Sequence, residues 1–379
     1  MKIKSLIVTS NFINHYSLAL SLELKKYFDD FHFIVKEKLP EDRSKMGFTN
    51  LEDNDFVVKE YEEPNRVQEL IDNSDVVIVD YTYNKYLKNR LKTNKITFVD
   101  SERLFKSDNL ITTLLRDVYY IYNYHNYHNA RLLCISAYSA GDYNKLGLFK
   151  NRTYKWGYFP EPIKYRSVKQ LIANKKKNSI IWAGRLIKWK HPEYVVEIAK
   201  RLKQEDYAFE ANIIGNGDME LELKALIEKY ELSDCVHMLG SMSPDKVRKH
   251  MEESEIYLFS SDRGEGWGVV LNEAMNSCCA CVSSYETGST PFLVNDSNNG
   301  LIYRNNSIDE AYACVKQLFD DNKKLNTIMN NAYKTIINEY NPSVAASRLY
   351  EFCVSINNNK DVDALFEEGI LSKAFPLNK

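Results

Sequence analysis

Short apolar runs alternate with amphipathic stretches over most of the chain. These runs are continuous rather than alternating, which is typical of strands covered on both faces of a parallel sheet. Val67, Leu70 and Ile71 show the helical spacing found between the runs. The repeated order of strand, helix and strand predicts right-handed crossovers and parallel pairing. In the first half, strands are predicted at Leu6–Val8, Phe31–Val35, Val76–Val79, Ile96–Val99 and Leu132–Ile135.

A polar break divides the chain near its middle. Pro160 and Pro162 flank Glu161, and the stretch from Lys169 to Asn178 is polar and basic, which is typical of a linker between domains. Strand and helix patterns then resume. Strands are predicted at Ser179–Ala183, Ala211–Ile214, Cys235–Met238, Glu255–Phe259 and Ala280–Val282. Helices are predicted at Pro192–Leu202, Met219–Tyr230, Pro244–Met251, Val269–Met275, Ile308–Tyr340 (in two pieces), Pro342–Asn357 and Val362–Glu368.

These elements predict two parallel α/β domains of similar size. A length of 379 residues agrees with two domains, since a domain averages about 150 residues. In such sheets, ligands bind outside the carboxyl ends of the strands. We therefore expect the functional site in a cleft between the two domains.

Charge and hydropathy argue against several classes of protein. The 50 Lys and Arg residues balance 52 Asp and Glu residues, which disfavours a nucleic-acid binder held by a large basic surface. Mean hydropathy is −0.44, and no apolar run approaches the ~20 residues of a membrane span. The run Met1–Val8 is a strand pattern without a cleavage site, so a cytoplasmic protein is expected. The seven cysteines form no pair of CxxC motifs, which disfavours zinc and favours reduced, buried thiols.

The segment Ser260–Met275 carries the strongest chemical signal. It follows a predicted strand, opens a helix and contains several glycines, which allow backbone N–H groups to approach an anion. Glu265 precedes the helix and Glu273 lies within it, so both carboxylates can accept hydrogen bonds from the vicinal hydroxyls of a sugar. A Gly-rich turn with two solvated glutamates explains the same pattern equally well.

Two other loops follow predicted strands and carry weaker signals. Arg185 and Lys190 can converge on a diphosphate, the first as a planar fork and the second as a point charge. Gly215 and Gly217 form a turn after the next strand. Taken singly, a basic surface loop and a structural turn are the simpler interpretations. Because all these loops follow strands of one sheet, they lie at one edge and together suit a nucleotide diphosphate-sugar.

Residues 179–303 resemble the donor-binding half of retaining GT-B glycosyltransferases of the GT4 group. That family's fold implies two Rossmann-like, doubly wound parallel-sheet domains facing across a cleft. The implied boundaries are an acceptor-binding domain at 1–160, a donor domain at 161–350, and a helical segment at 351–379 that packs back on the first domain. The resemblance rests on Gly184–Leu186 followed by Lys190, on Ile214–Gly217, on Leu239–Met242, on the Glu265 and Glu273 pair, and on Asn299–Ile302. Softer matches at Val8–His15 and Tyr154–Glu161 resemble members that assemble bacterial polysaccharides.

The resemblance implies a role for each matching residue. Arg185 and Lys190 would hold the donor phosphates and neutralise the departing nucleotide, while Glu265 would face the donor sugar; these three are the expected catalytic residues. Glu273 would accept hydrogen bonds from the ribose hydroxyls. The other expected binding positions on the donor side are Gly215, Gly240, Met242, Gly266, Trp267, Gly268, Gly288, Ser289 and Thr290. On the acceptor side they are Asn14, His15 and Glu102.

The acceptor side departs from the family pattern. Asn11–His15 replaces the usual Gly-rich loop after the first strand, and Asp100–Arg103 stands where many members carry a histidine. Cys278–Ala280 stands where Gly and Pro are usual. His125 and His128 lie among the tyrosines of the stretch 119–127, which either stacks on sugar rings or, as the simpler interpretation, packs on the sheet.

The implied activity is transfer of a sugar from a nucleotide diphosphate-sugar to an acceptor hydroxyl, with retained anomeric configuration. The expected donor is a UDP-sugar, and the expected setting is assembly of bacterial surface polysaccharide or glycoconjugates. No metal or other cofactor is expected, because the basic pair replaces it and no DxD cluster follows a strand. The acceptor would be a free, lipid-linked or protein-linked sugar. Lys175–Lys177 either contacts anionic lipid at the inner membrane face or, more simply, forms a solvated linker.

Three other functions fit parts of this pattern. Glu265 and Glu273 would serve a glycoside hydrolase or phosphorylase as a carboxylate pair, although the basic pair then has no role. A non-catalytic nucleotide-sugar sensor or an inactive partner subunit would use the same binding residues. A dinucleotide-dependent oxidoreductase is disfavoured because no GxGxxG motif follows the first strand.

Overall fold

The computed structural model describes residues 3–39, 50–105, 110–125, 127–304 and 306–377. The chain divides into two compact units. The first comprises Met1–Glu161 and Tyr340–Lys379, and the second comprises Pro162–Glu339. Relative to the boundaries expected from the sequence, the structure moves the start of the final segment from 351 to 340, so that the helix Pro342–Asn357 belongs to the first unit.

The first unit is built on a seven-stranded parallel sheet with the order β3-β2-β1-β4-β5-β6-β7. This order places β1 beside β4 at the centre and reverses direction there, as in doubly wound folds. Every residue of the central strand Val76–Val79 is buried, which agrees with its uninterrupted apolar sequence. The strands are β1 (Ser5–Ser10), β2 (Asp30–Val35), β3 (Val57–Lys59), β4 (Val76–Val79), β5 (Ile96–Ser101), β6 (Arg131–Cys134) and β7 (Thr153–Lys155).

The C-terminal helix packs on the sheet and helices of the first unit. The ring of Phe352 lies 4.7 Å from that of Tyr154 and 6.0 Å from that of Phe98, both on strands of this sheet. Tyr350 stands edge-on to Phe28, with ring centroids 5.4 Å apart. The helices of the unit are His15–Leu24, Pro64–Asn73, Leu110–Tyr124, Ser139–Lys145 and Pro342–Asn357.

The second unit repeats the plan with a six-stranded parallel sheet, in the order β10-β9-β8-β11-β12-β13. The strands are β8 (Lys176–Ala183), β9 (Glu210–Ile214), β10 (Val236–Gly240), β11 (Ser254–Phe259), β12 (Ala280–Ser284) and β13 (Leu301–Tyr303). The helices are Val168–Ala173, Glu193–Gln204, Glu220–Lys229, Pro244–Glu253, Val270–Asn276, Thr290–Leu293, Ile308–Asp320 and Asn322–Asn338. The prediction of two parallel α/β domains is therefore confirmed.

Side-chain packing settles two of the sequence expectations. The cysteines are unpaired, and all but Cys314 are buried. In the Tyr-rich helix, Tyr120 and Tyr124 are buried and pack edge-on against Tyr143, so this face packs on the helix Ser139–Lys145. No helix in the described part of the chain combines the length and the apolar character needed to cross a bilayer.

Two local predictions are wrong. The stretch 169–178 is not a linker, because it forms most of the helix Val168–Ala173 and the start of β8. The segment 362–368 is not helical. Its backbone and side chains are engaged elsewhere: Tyr154 Oη donates to Asp363 Oδ1 (2.6 Å), and Arg348 Nη1 donates to the carbonyl oxygen of Glu368 (2.6 Å).

Lys175 has a structural role that the sequence does not reveal. Its side chain is buried, and Nζ donates to the carbonyl oxygens of Met251, Glu252, Ser254 and Ser277 at 2.7–3.1 Å. These carbonyls lie at the end of one helix, on the next strand and near the end of another helix. The expectation that Lys175 contacts lipid or solvent is therefore wrong, because its charge is committed to the core.

We predict that Lys175→Met lowers the free energy of unfolding by about 3 kcal/mol, because the carbonyls would be left buried without their charged donor. Denaturant titration monitored by circular dichroism measures the effect. Lys176→Met is the matched control, because this neighbouring ammonium is 54% exposed and pairs with Glu210 across 3.2 Å. It should change stability by at most about 0.5 kcal/mol. An equal loss in both variants would contradict the structural role of Lys175.

Candidate functional site

The loops that follow the strands of the second unit lie at one edge of its sheet. Since all six strands are parallel, their carboxyl ends point the same way. The predicted donor-side residues fall on these loops or on the elements that follow them. Three loops come from the adjacent strands β8, β9 and β11 and are therefore neighbours in space.

The loops after β8 and β9 touch through their backbones. Gly184 N donates to the carbonyl oxygen of Ile214 (3.0 Å), and Leu186 N donates to that of Asn216 (2.8 Å). At Gly215, φ is +144° and a Cβ atom would lie 1.8 Å from the carbonyl oxygen of Gly184. No side chain fits there, so this glycine is required for the close contact.

Gly215 forms the structural turn that was the simpler interpretation of this loop. Its N–H donates to the carbonyl oxygen of Gly240 (2.9 Å), so this donor is used within the protein. The turn holds the loops after β8, β9 and β10 together. Gly240 itself ends β10 with φ +70° and is exposed, and Met242 beyond it is partly exposed. Gly240 and Met242 therefore remain accessible at this edge.

Arg185 and Lys190 share one aromatic ring. The guanidinium carbon of Arg185 lies 5.8 Å from the centroid of the Trp189 ring, and Lys190 Nζ lies 4.8 Å from it. Cations at these distances are attracted by the negative face of an indole. The structure therefore brings together the two cations that the sequence predicted to converge.

Lys190 also meets Glu265. Its ammonium forms an ion pair with Glu265 Oε2, and both side chains are largely buried, with 14% and 10% exposed. Ser261 Oγ donates to the same carboxylate oxygen (2.9 Å). Lys190 and Glu265 thus fix one another and join the loops after β8 and β11. Such a pair is charge-assisted and more strongly held than an exposed one.

The Gly-rich turn after Glu265 is shaped by buried side chains. Trp267 is 1% exposed, and its Nε1 donates to Asn272 Oδ1 (2.9 Å), so the indole belongs to the core. Gly268 has φ +85°, and a Cβ atom there would lie 2.3 Å from Phe259 Cζ. Only the backbone of Gly266, Trp267 and Gly268 can serve a ligand. The helix that follows has only seven residues (Val270–Asn276).

Glu273 occupies this short helix and is partly buried. Burial raises the pKa of its carboxyl, and the charge of Arg248 opposes that shift. Arg248 is held near it, because Nη1 donates to the carbonyl oxygen of Glu273 (3.0 Å) and to Asn276 Oδ1 (2.9 Å). A carboxyl in such a sheltered position gains from hydroxyl donors supplied by a ligand.

The predicted loop at 288–290 is more deeply packed than expected. Ser289 and Thr290 are fully buried, and Thr290 Oγ1 lies 2.7 Å from Thr287 Oγ1. Gly288 is also buried. The hydroxyls of Ser289 and Thr290 are therefore inaccessible in this structure, and the prediction that they contact a sugar or phosphate needs a movement of the loop.

The predicted acceptor-side residues lie in the first unit. Asn14 caps the helix His15–Leu24, since its Oδ1 accepts hydrogen bonds from Tyr16 N and Ser17 N (both 3.0 Å). Its side chain is thus committed to the fold. His15 opens that helix, and shielding from water lowers the pKa of its imidazole. Glu102 follows β5 and accepts a hydrogen bond from Tyr158 Oη (3.0 Å).

Asp100 lies near the carboxyl end of β5 in the first unit, and the sequence analysis gave it no role. Asp80 and Asp100 directly follow Val79 and Val99, which pair in register on β4 and β5. Burial, reinforced by the charge of Asp80, raises the pKa of Asp100 to about 8. This shift favours the protonated form of the Asp100 carboxyl, which offers both a donor and an acceptor. The sequence analysis missed this pair because it did not consider the register of β4 and β5, which brings Asp80 and Asp100 to neighbouring positions.

The described residues contain no group of three or more His, Cys, Asp or Glu side chains placed to hold a metal ion. Two Rossmann-like domains, each built on a parallel sheet, are the architecture of the GT-B class. The GT-B fold is therefore confirmed, because a chain of known structure matches nearly the whole length. That structure is HepE from Anabaena in complex with UDP, with a TM-score of 0.68 and 16% identity over 93% of this chain and 100% of that one.

The family model of glycosyl transferases group 1 matches residues 164–335. Amylovoran biosynthesis glycosyltransferase AmsK of Erwinia amylovora is 28% identical over 177 residues, which are 45% of this chain and 43% of AmsK. The gpi3 subunit of phosphatidylinositol N-acetylglucosaminyltransferase from Schizosaccharomyces pombe is 26% identical over 223 residues, 58% of this chain and 46% of the relative. The chain thus spans less than half the length of these relatives. Together with the fold, the matches support a group 1 glycosyltransferase.

We predict that Gly215→Ala destabilises the second unit by more than about 3 kcal/mol, because the new methyl group would force apart the backbones of two loops. Differential scanning calorimetry measures the effect. Gly240→Ala is the matched control: it also has a positive φ, but nothing lies within 4 Å of the added Cβ. It should cost about 1 kcal/mol. Equal melting temperatures for the two variants would refute the close backbone contact.

Proposed function

We propose that this chain is a retaining glycosyltransferase that moves a sugar from a UDP-sugar to an acceptor hydroxyl. The proposed setting is assembly of bacterial surface polysaccharide or glycoconjugates on the cytoplasmic side of the membrane. The observation that carries the proposal is the convergence of Arg185, Lys190 and Glu265 at the carboxyl edge of the second sheet. AmsK, which its name assigns to amylovoran biosynthesis, supports the setting.

Arg185 and Lys190 would act on the leaving group. As the bond between the anomeric carbon and the diphosphate oxygen lengthens, negative charge grows on the diphosphate and positive charge on the sugar. Fixed cations aimed at the diphosphate stabilise that state more than the ground state. Because Trp189 and Glu265 already hold Lys190, little reorganisation is needed when the charge develops.

Glu265 and Glu273 would orient the donor. One carboxylate oxygen of Glu265 is engaged by Lys190 and Ser261, which leaves the other to accept from a hydroxyl of the sugar. Glu273 would accept from the ribose hydroxyls in the same way. The proposal gives no role to a metal, because the two cations supply the positive charge that the diphosphate needs.

A glycoside hydrolase fits this arrangement less well. Such an enzyme needs one of its carboxyl groups to donate a proton to the leaving group. Lys190 and Ser261 already engage one carboxylate oxygen of Glu265, and the cations Arg185 and Lys190 would have no role in hydrolysis. A non-catalytic nucleotide-sugar binder remains the second candidate, and turnover distinguishes the two.

We predict that Arg185→Ala and Lys190→Ala each lower kcat by about 100-fold or more, with a smaller change in KM for the donor, because the lost contact acts mainly in the transition state. The measurement is release of UDP from a panel of UDP-sugars, with water and with mixed sugar acceptors. Lys188→Ala is the matched control, since this exposed lysine lies in the same loop. Addition of EDTA should leave the parental rate unchanged. Parental activity in Lys190→Ala would refute the assignment, and tight binding of UDP-sugars without turnover would favour the non-catalytic binder.

Glu273→Gln should weaken UDP binding by about tenfold, because an amide is a poorer acceptor for the ribose hydroxyls than a carboxylate. Isothermal titration calorimetry against UDP and 2′,3′-dideoxy-UDP isolates this contact. The variant and the parent should bind the dideoxy compound alike. Glu222→Gln, an exposed substitution on another helix, controls for a general change in charge. Equal weakening for both nucleotides would show that Glu273 does not contact the ribose.

A further inference from the structure

His191, the residue after Lys190, adopts an unusual backbone conformation. Its φ and ψ are 49° and 52°, which lie in the left-handed region. This region is unfavourable for residues with a Cβ atom, and glycine or asparagine usually occupies it. A histidine here must therefore be held by its surroundings.

Both nitrogens of the imidazole face carboxylates. Nδ1 lies 2.7 Å from Glu193 Oε1, and Nε2 lies 3.4 Å from Asp262 Oδ2. A neutral imidazole has a single N–H, whereas the charged form can donate to both partners. Asp262 and Glu193 raise the pKa of His191 to about 9, against an opposing effect of burial. The ring is thus charged at neutral pH.

The partners of His191 belong to the two loops that build the site. Glu193 begins the helix after the first loop, and Asp262 lies in the loop after β11. Asp262 N donates to the carbonyl oxygen of Trp189 (2.9 Å), and Gly264 N donates to Asp262 Oδ1 (2.6 Å). The imidazolium therefore reinforces the junction at which Lys190 meets Glu265.

A second set of contacts at this junction involves Ser260. Its Oγ lies 2.7 and 2.8 Å from the carbonyl oxygens of Lys190 and His191, and it accepts a hydrogen bond from Trp182 Nε1 (2.8 Å). These contacts fix the backbone on either side of the Lys190–His191 peptide. The direction of the Lys190 side chain then depends on whether His191 keeps its left-handed conformation.

We propose that His191 is a positioning residue whose imidazolium, bound between Glu193 and Asp262, holds Lys190 in place for the donor diphosphate and makes the site fail at alkaline pH. The proposal rests on the function proposed above. Since the pKa is raised, the positioning contact is complete at neutral pH and is lost as the pH rises through about 9.

Other titratable groups face His191 or its partners. Lys190 precedes His191 in the same loop. Glu193 and Tyr194 lie on the following helix, and Asp262 and Arg263 lie in the loop after β11. The Tyr194 ring lies 5.1 Å from the imidazole, and burial raises the pKa of its phenol. Tyr194 thus stays neutral while His191 titrates. Variants of His191 and of its partner Glu193 show which part of the pH profile depends on His191.

Two substitutions separate charge from backbone conformation. His191→Asn keeps a side chain that tolerates the left-handed region and forms hydrogen bonds, but it cannot carry a charge. His191→Gly removes the side chain and frees the backbone. Glu193→Gln keeps His191 and lowers its pKa. His250→Asn, on another helix of the same unit, is the matched control.

The first readout is the pH profile of UDP binding and of kcat between pH 7 and 10. The parent and His250→Asn should lose both as the pH passes about 9. His191→Asn and His191→Gly should have kcat lowered by about tenfold or more at pH 7.5, the scale expected for a small misplacement of a catalytic group. Their profiles should lack the limb near pH 9, and in Glu193→Gln that limb should move to lower pH.

The second readout is the NMR titration of the His191 ring, which needs no nucleotide. A pKa near the ordinary histidine value in the parent would overturn the inference, as would a limb near pH 9 that persists in His191→Asn. Melting temperatures show whether each variant is folded, and Asn and Gly are both compatible with this backbone.

If the parent bound no nucleoside diphosphate at all, the proposed function would fail and the inference with it. Binding with an unchanged profile in His191→Asn would overturn the inference alone.

Discussion

The candidate site depends on the ion pair between Lys190 and Glu265, two residues that lie far apart in the sequence. They meet because β8 and β11 are neighbours in the sheet, with Ile181 paired to Tyr257, so the loops that follow these strands are adjacent. Glycines with positive φ let the neighbouring loops approach closely. Lys190 and Glu265 are therefore held in place by contacts within the protein itself.

The sequence predicted the architecture well where the pattern was long and local. Continuous apolar runs marked the central strands, and the helix Pro342–Asn357 was predicted with the bounds that the structure gives it. The short edge strands β3, β7 and β13 were missed, because three residues carry too little pattern. The role of Lys175 was missed for another reason: its carbonyl partners come from segments that only the fold brings together.

The candidate site was predictable as a set of loops but not as a set of contacts. The proximity of Arg185, Lys190 and Glu265 could be predicted because loops after strands of one sheet share an edge. The burial of Trp267 and of the Ser289 hydroxyl depends on packing from other elements, so a sequence motif cannot reveal it. His191 escaped notice because its left-handed backbone and its two carboxylate partners exist only in the folded chain.

The carboxyl edges of the two sheets differ in chemistry. The edge of the second unit presents Arg185 and Lys190 on one indole ring together with Glu265 and Glu273, whereas Asp80, Asp100 and Glu102 lie at the edge of the first unit. The pair of cations at the second edge is the feature on which the proposed binding of a diphosphate rests. Burial and the charge of Asp80 favour the protonated form of Asp100, which can both donate to and accept from a hydroxyl.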